Sequence, residues 1–389
     1  MRVLFLSQRV PYPPNRGDKI TTWRIVERLK RTHEVHCVAF AHDDEDRRAA
    51  DELGRLGAPT IAIDLDLRVA KLFALPLLFT NRPLTLGVYG SGELQRAVDR
   101  LAARSDVGYA YSSSMGAFLE PHTHLRRVMH FAELDSDKWK QYAERSASPA
   151  SWIYAREHRT LLRFEQRIAQ SFDENVLCTP LEQRIFEREI PGVHSIVMRN
   201  GVDLAHYRPT PERAEPGHLV FVGVMDYLPN VDGCAWFVET ILPRIRAKHA
   251  NAHLSIVGSR PNEQVRELGR RPGVSVTGFV PDPREHLGRA SISIAPLRIA
   301  RGIQNKVLEA MAMGLPVVGT TSATQGVEGE PGRDFVLANT ADEFASAVCK
   351  LIENPGEAHR FGQRARKFVE ERYDWEVALA PLDALVGRG

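Results

Sequence analysis

Short runs rich in valine and isoleucine, each followed by an amphipathic stretch, recur along nearly the whole chain and leave it few folds. In the first half they are RVLFLS at Arg2, EVHCVAF at Glu34, PTIAID at Pro59, VGYAYSS at Val107, RVMHFA at Arg127 and ENVLCT at Glu174. In the second half they are HLVFVGV at His218, HLSIVGS at His253, VSVTGFV at Val274, SISIAPL at Ser291, PVVGT at Pro316 and DFVLAN at Asp334. Strands apolar on both faces need cover on both faces, and a helix after each strand supplies it. The pattern therefore predicts parallel sheets of the α/β class. Two such sets in 389 residues, too many for one core, predict two doubly wound, Rossmann-like domains.

Proline, glycine and charge cluster in RNGVDLAHYRPTPERAEPGH, from Arg199 to His218, and mark the seam. The expected division is 1–197 and 198–369, with 370–389 as a helix that crosses back to the first domain. A net charge of +2 argues against general nucleic-acid binding. Four dispersed cysteines form neither a zinc spacing nor a redox pair and read as buried, reduced thiols, consistent with a cytoplasmic protein. No run has the length of a membrane span, and the first apolar stretch is too short for a signal peptide. The most apolar patch, LFALPLLF from Leu72 to Phe79, reads first as a buried helix end, with membrane-surface contact as the alternative. Arg156, Arg159, Arg163 and Arg167 recur at helical spacing and read as a solvated face, with anionic lipid as a second use.

In open α/β sheets ligands bind beyond the carboxyl ends of the strands, so the strand-to-helix loops carry the functional reading. RGIQNKVLEAMAMGLPVV, from Arg301, is the richest. Helical phasing places Ile303, Val307, Leu308, Ala310, Met311 and Ala312 on one apolar arc, with Gly302, Lys306 and Glu309 opposite, and Gly314 as the stop. A helix opening near Gly302 and Ile303 offers free amides to an anion. Arg298, Arg301 and Lys306 around that mouth suit a pyrophosphate, and Glu309 one turn on suits a ribose diol. The bland alternative is an i, i+3 ion pair on a solvated helix face. Gly17, after the proline-stiffened RVPYPPNRGD, opens a second helix where a ligand can approach the backbone, with Asp18 expected as its N-cap. Asp135 and Asp137 form an Asp-x-Asp that can hold a divalent metal, but acidic residues in a first helical turn are the preferred reading. His130 reads as a core histidine at a strand end near a cleft, with substrate contact as the alternative. No G-x-G-x-x-G follows the first strand, and neither a Walker loop nor a Ser-His-Asp set can be assembled.

At this point the chain resembles family 4 glycosyltransferases of the GT-B fold over essentially its whole length. The matching pieces are the Gly17 loop, RNGVDLAHY, FVGVMDYLPNVDG, LSIVGSRP, VTGFVPD, NKVLEAMAMGLPVVGT and the closing RYDW. DSDKW together with MDYLPN resembles the branch associated with exosortase and PEP-CTERM systems in exopolysaccharide-producing bacteria. The resemblance implies two Rossmann-like domains facing a cleft. It implies that Glu309 binds the ribose, that Phe279 and Val280 meet the base, and that Gly17 lies against the donor sugar or phosphate. His130 falls roughly where many members carry a histidine facing the sugar. Two departures stand out. Gly302 replaces the first glutamate of the family's pair, and the loop after the first strand of the second domain offers Asp226 where many members place an Arg and a Lys.

The expectation is a retaining, metal-independent hexosyltransferase without a cofactor. Its donor would be a nucleotide-diphosphate sugar, UDP- or GDP-linked, and its acceptor a saccharide or a polyprenyl-linked saccharide. Peripheral contact with an anionic membrane surface at the inner face of the plasma membrane belongs to the same expectation. The rivals are a GT-B epimerase or hydrolase, a non-catalytic two-domain sugar-binding protein, and a metal-dependent transferase using Asp135 and Asp137.

Overall fold

The structure, a computed structural model, describes residues 1–210, 213–300 and 302–387. The chain forms two compact units, 1–199 with 379–389, and 200–378. The first holds strands β1 (Arg2–Ser7), β2 (Glu34–Ala41), β3 (Thr60–Asp64), β4 (Val107–Tyr111), β5 (Arg126–Ala132), β6 (Glu174–Leu177) and β7 (Ile196–Val197). The second holds β8 (His218–Val222), β9 (His253–Val257), β10 (Val274–Val276), β11 (Ile292–Ala295), β12 (Val317–Gly319) and β13 (Val336–Leu337). Every predicted run contains a strand. The two-residue β7, inside HSIVMRN, is too short to stand out by periodicity.

The first sheet runs β3-β2-β1-β4-β5-β6-β7 and the second β10-β9-β8-β11-β12-β13. All named pairings are parallel; in β1, for example, Phe5 registers with Cys37 on one side and Tyr109 on the other. Leu4, Leu6, Val38 and Phe40 build the first core; Leu219, Phe221, Ile256 and Ile294 belong to the second. Chain order reverses between β1 and β4 and again between β8 and β11. These are the switch points at which doubly wound sheets open a crevice beyond the strand ends.

The return of the chain to the first unit differs from the expectation. The helix Pro355–Arg372 belongs to the second unit, and the helix breaks there, at Tyr373. The break does not begin the crossing, because residues 373–375 are knitted to the start of the same unit. The Val202 amide donates to the Tyr373 carbonyl (2.7 Å), and Val202 bridges Asp374. A Cβ on Gly201 would lie 2.6 Å from Trp375 Cδ2. The NGVD and RYDW motifs thus clasp one another. Only 379–389, with the helix Leu382–Val386, joins the first unit. All four cysteines are buried.

Candidate functional site

The second unit's switch point is formed by the segments that leave β8 and β11. After β8 the chain turns through Gly223 into the helix Leu228–Trp236. After β11 it runs from Pro296 to Gln304 before the helix Asn305–Ala312. The helix begins three residues later than the sequence predicts. Gly302 has φ +58°, a left-handed backbone that cannot extend a right-handed helix, and Gln304 is extended at φ −91°, ψ 100° without a side-chain cap. Gly302 and Ile303 therefore line the approach, and the first-turn amides belong to Asn305 and Lys306. Arg301 lies outside the described residues. Gly314 ends the segment at φ +70°, and the Leu315 amide reaches back to the Ala310 carbonyl (3.0 Å).

Val307, Leu308, Ala310, Met311 and Ala312 are buried on the predicted arc, while Lys306 and Glu309 are half-buried rather than solvated. Each takes a partner outside the helix. Lys306 Nζ donates to Asn230 Oδ1 (2.8 Å) and sits 5.0 Å from the Phe221 ring centroid. Asn230, buried, in turn donates Nδ2 to the Val224 carbonyl (2.8 Å). Loss of solvent pushes the Lys306 ammonium down to about 8. Glu309 accepts from the Tyr207 hydroxyl; burial raises its carboxyl, and that bond and the neighbouring lysine oppose the rise. The helix therefore presents one poorly hydrated cation and, one turn on, one acceptor. These match the two polar needs of a nucleoside diphosphate, neutralisation of phosphate and reception of ribose hydroxyls.

Backbone packing sets this geometry. Gly258, at φ +147°, lies so close to Gly223 that a Cβ would stand 1.7 Å from the Gly223 carbonyl oxygen. A Cβ on Gly223 would itself meet Asn230 Nδ2 at 2.7 Å. The glycines of FVGV and VGS let the two loops and Asn230 pack without a gap, which fixes the oxygen that receives Lys306.

The expected convergence of three cations is reduced. Arg298 is held by Asp232, with Nε to Oδ2 at 2.9 Å and a second bond to Oδ1, and it lies over Trp236 at 5.8 Å. A guanidinium paired in two-pronged fashion with a carboxylate has fewer donors left for a phosphate. Asp226 lies 3.8 Å from Arg260, an exposed cation that reaches the region from the loop after β9. Phe279 is exposed, and Val280 is half-buried against the core beside Gly278 at φ +70°.

In the first unit, Gly17 is the first residue of the helix Gly17–Leu29, and Arg16 occupies the N-cap position. Asp18 is therefore not the cap; it pairs with Arg16 (2.7 Å) and Arg9 (3.5 Å). Asp135 and Asp137 open the helix Asp135–Arg145, as the helix-start reading has it. Asp135 accepts from Ser113 Oγ (3.0 Å) and Lys138 Nζ (2.6 Å), and Asp137 from Gln141 Nε2 (2.9 Å). His130 has no exposed surface. Its Nδ1 is 2.8 Å from the Tyr109 hydroxyl, its ring packs edge-on to Tyr111, and burial pushes it down to about 3. It is a neutral core histidine, and this closed packing leaves no surface through which it touches a substrate. The sequence reading missed Asn230, Tyr207, Asp232 and Arg260. All four lie in quoted motifs, but only coordinates show which strand-end loops meet.

Residues 216–354 match the family model of glycosyl transferases group 1. Over 253 residues the chain is 25% identical to the glycogen synthase of Mycobacterium tuberculosis, covering 61% of this chain and 59% of that protein's length. An uncharacterized 44.6 kDa protein in the cps region of Klebsiella pneumoniae is 21% identical over 402 residues, 98% of each chain. Among solved structures, Anabaena HepE in complex with UDP-glucose is similar at a TM-score of 0.71 and 16% identity, over 99% of this chain and 98% of that one. The fold is that of the GT-B glycosyltransferases, two Rossmann-like parallel-sheet units, and the match to the group 1 model falls within the second of them.

Proposed function

We propose that the protein is a retaining, metal-independent glycosyltransferase. It moves a hexosyl group from a nucleotide-diphosphate sugar to a saccharide or lipid-linked acceptor. The observation that carries the reading is the half-buried Lys306 at the β8–β11 switch point, one helical turn from Glu309, within the stretch that matches group 1 glycosyl transferases. HepE was solved with UDP-glucose, which favours UDP over GDP in the donor.

In this reading Lys306 faces the diphosphate. Charge that builds on the leaving phosphate as the glycosidic bond breaks meets a desolvated ammonium held by Asn230, so little reorganisation is needed at the moment of reaction. Glu309, oriented by Tyr207, receives the ribose hydroxyls, and the backbone at Phe279 and Val280 meets the base. Arg298 stays with Asp232 and supports the loop. The acceptor hydroxyl attacks from the face the leaving group departs, and the departing phosphate oxygen takes its proton, so the enzyme supplies position and charge. Asp135 and Asp137, engaged with Ser113, Lys138 and Gln141, are assigned in this reading as helix-start residues. The relative in a cps region supports a role in exopolysaccharide or glycoconjugate synthesis; work at the inner face of the plasma membrane is part of the same proposal. Assignment to the exosortase-associated branch rests on DSDKW and MDYLPN alone.

The test is transfer of labelled sugar from UDP-sugars in the presence of acceptor lipids and saccharides, with EDTA, and with donor alone. Transfer that needs acceptor, survives EDTA and drops by about 10²- to 10³-fold in Lys306→Ala supports the reading. Donor conversion without acceptor points to an epimerase or hydrolase, and wild-type turnover in Lys306→Ala removes the lysine from its role.

A further inference from the structure

The segment read from sequence as a buried helix end turns its apolar side chains outward. In the helix Leu67–Ala74 and the 3-10 turn Leu75–Phe79, Ala74 alone is buried. Phe73 is 81% and Phe79 91% exposed, and Val69, Leu72 and Leu75 are exposed beside them. Hydrophobic burial does not select such a surface unless something apolar covers it.

The segment is nevertheless firmly held. Arg156, read from sequence as part of a solvated stripe, is buried in the helix Ala150–Ser171. Its guanidinium donates to the carbonyls of Leu78 and Arg82, both at 3.0 Å, and to those of Leu77 and Thr80. Its neighbour Glu157, also buried, accepts from the Leu84 and Thr85 amides, both at 2.8 Å, and from the Thr85 hydroxyl at 2.7 Å. Two buried charged side chains thus fix the backbone of a spur whose largest apolar groups point to solvent.

Charge identifies the partner. Arg68, Lys71 and Arg82 are exposed on either side of the apolar residues, an arrangement that lets long cationic side chains reach up to a phosphate plane. The nearby acids are engaged: Asp64 pairs with Arg47 (2.7 Å), and Asp66 caps the Arg68 and Val69 amides. From Asn81 to Pro83 the chain lines a cavity of about 400 Å³ that Arg82 shares with Arg163 and Arg167, the last held by Glu120. The spur therefore leads into a basic hollow.

We propose that the 67–82 spur is an anchor for an anionic lipid bilayer. Phe73 and Phe79 enter the interface, and Arg68, Lys71 and Arg82 lie at the level of the lipid phosphates. Among the described residues no helix is long and apolar enough to cross a membrane, so the spur lies on the bilayer. This gives a surface to the membrane contact in the functional reading, and it is measured without donor or acceptor, so the two fail separately.

The experiment is co-sedimentation of the full chain with vesicles of phosphatidylcholine, alone or mixed with phosphatidylglycerol. Phe73→Ser/Phe79→Ser alters two exposed side chains, and its unchanged circular dichroism and melting temperature serve as controls. Wild type is expected to sediment with the anionic vesicles, the double serine variant to lose at least about tenfold in partitioning, and Arg68→Glu/Lys71→Glu to lose the preference for phosphatidylglycerol. Absence of wild-type binding, or equal binding by the serine variant, overturns the proposal. So does a wild-type dimer that the serine variant breaks without vesicle binding, which would make a second copy the cover.

Discussion

Desolvation of Lys306 makes donor binding depend on pH. In the free protein its ammonium is held down to about 8, whereas an exposed lysine titrates near about 10.4. The sign follows from which form is disfavoured. Burial opposes the charged form, so this group weakens the fold below about pH 8, and the penalty is relieved as pH rises from about 8 to about 10.4. A bound diphosphate reverses the preference by placing negative charge beside the ammonium, so binding above pH 8 draws in a proton. At pH ~8.6 only about one fifth of free Lys306 is charged, and the complex then takes up about 0.8 proton. The dissociation constant for UDP should be flat from about pH 7 to about pH 7.5, and about tenfold weaker at about pH 9. Titration calorimetry of UDP in buffers of different ionisation enthalpy reads proton uptake and affinity together. Lys306→Met should bind more weakly at neutral pH, show no uptake from this group and lose the alkaline slope. Equal uptake in wild type and Lys306→Met would refute the placement of the lysine against phosphate.

Two further expectations concern the scaffold. Glu165 is buried, with its carboxyl pushed up to about 8 by burial and by Asp135, so it favours the fold at low pH and loses that contribution as pH climbs from about 4.3 toward about 8. Melting temperature followed from about pH 5 to about pH 8 should fall more steeply in wild type than in Glu165→Gln, and parallel curves would count against the shift. Gly201→Ala drives a methyl into Trp375 at 2.6 Å and should lower stability by about 1–3 kcal/mol in urea unfolding; a neutral result would mean that the NGVD–RYDW clasp gives way easily.

The strands were legible because each parallel strand is apolar on both faces and each is followed by a helix, a pattern that survives without coordinates. The Lys306–Glu309 helix was legible too, since its arc from Val307 to Ala312 is all apolar. Its start was not. Nothing in RGIQN distinguishes a glycine inside a first turn from Gly302 at φ +58°, and the difference moves the free amides by three residues. Arg298 was misjudged for another reason. Arg298 looks available in sequence, yet Asp232 lies 66 residues away in the helix Leu228–Trp236, and only the β8–β11 reversal brings the two together. Phe73 and Phe79 were misread because hydrophobicity alone cannot separate a side chain that is buried from one held out by a clamp such as Arg156.

Recognition of a nucleotide-diphosphate sugar by Lys306 and Glu309 is the claim beneath the whole functional reading, and a thermal-shift panel of UDP-, GDP-, ADP- and dTDP-sugars tests it most directly. At about one hundred times its dissociation constant a true donor adds about 2.7 kcal/mol to the folded state, enough to raise the melting temperature by a readable margin. Such a rise is expected in wild type for at least one of these sugars, UDP-linked first, and little or none in Lys306→Met/Glu309→Gln. No rise with any of them, or a full rise in the double variant, would contradict it.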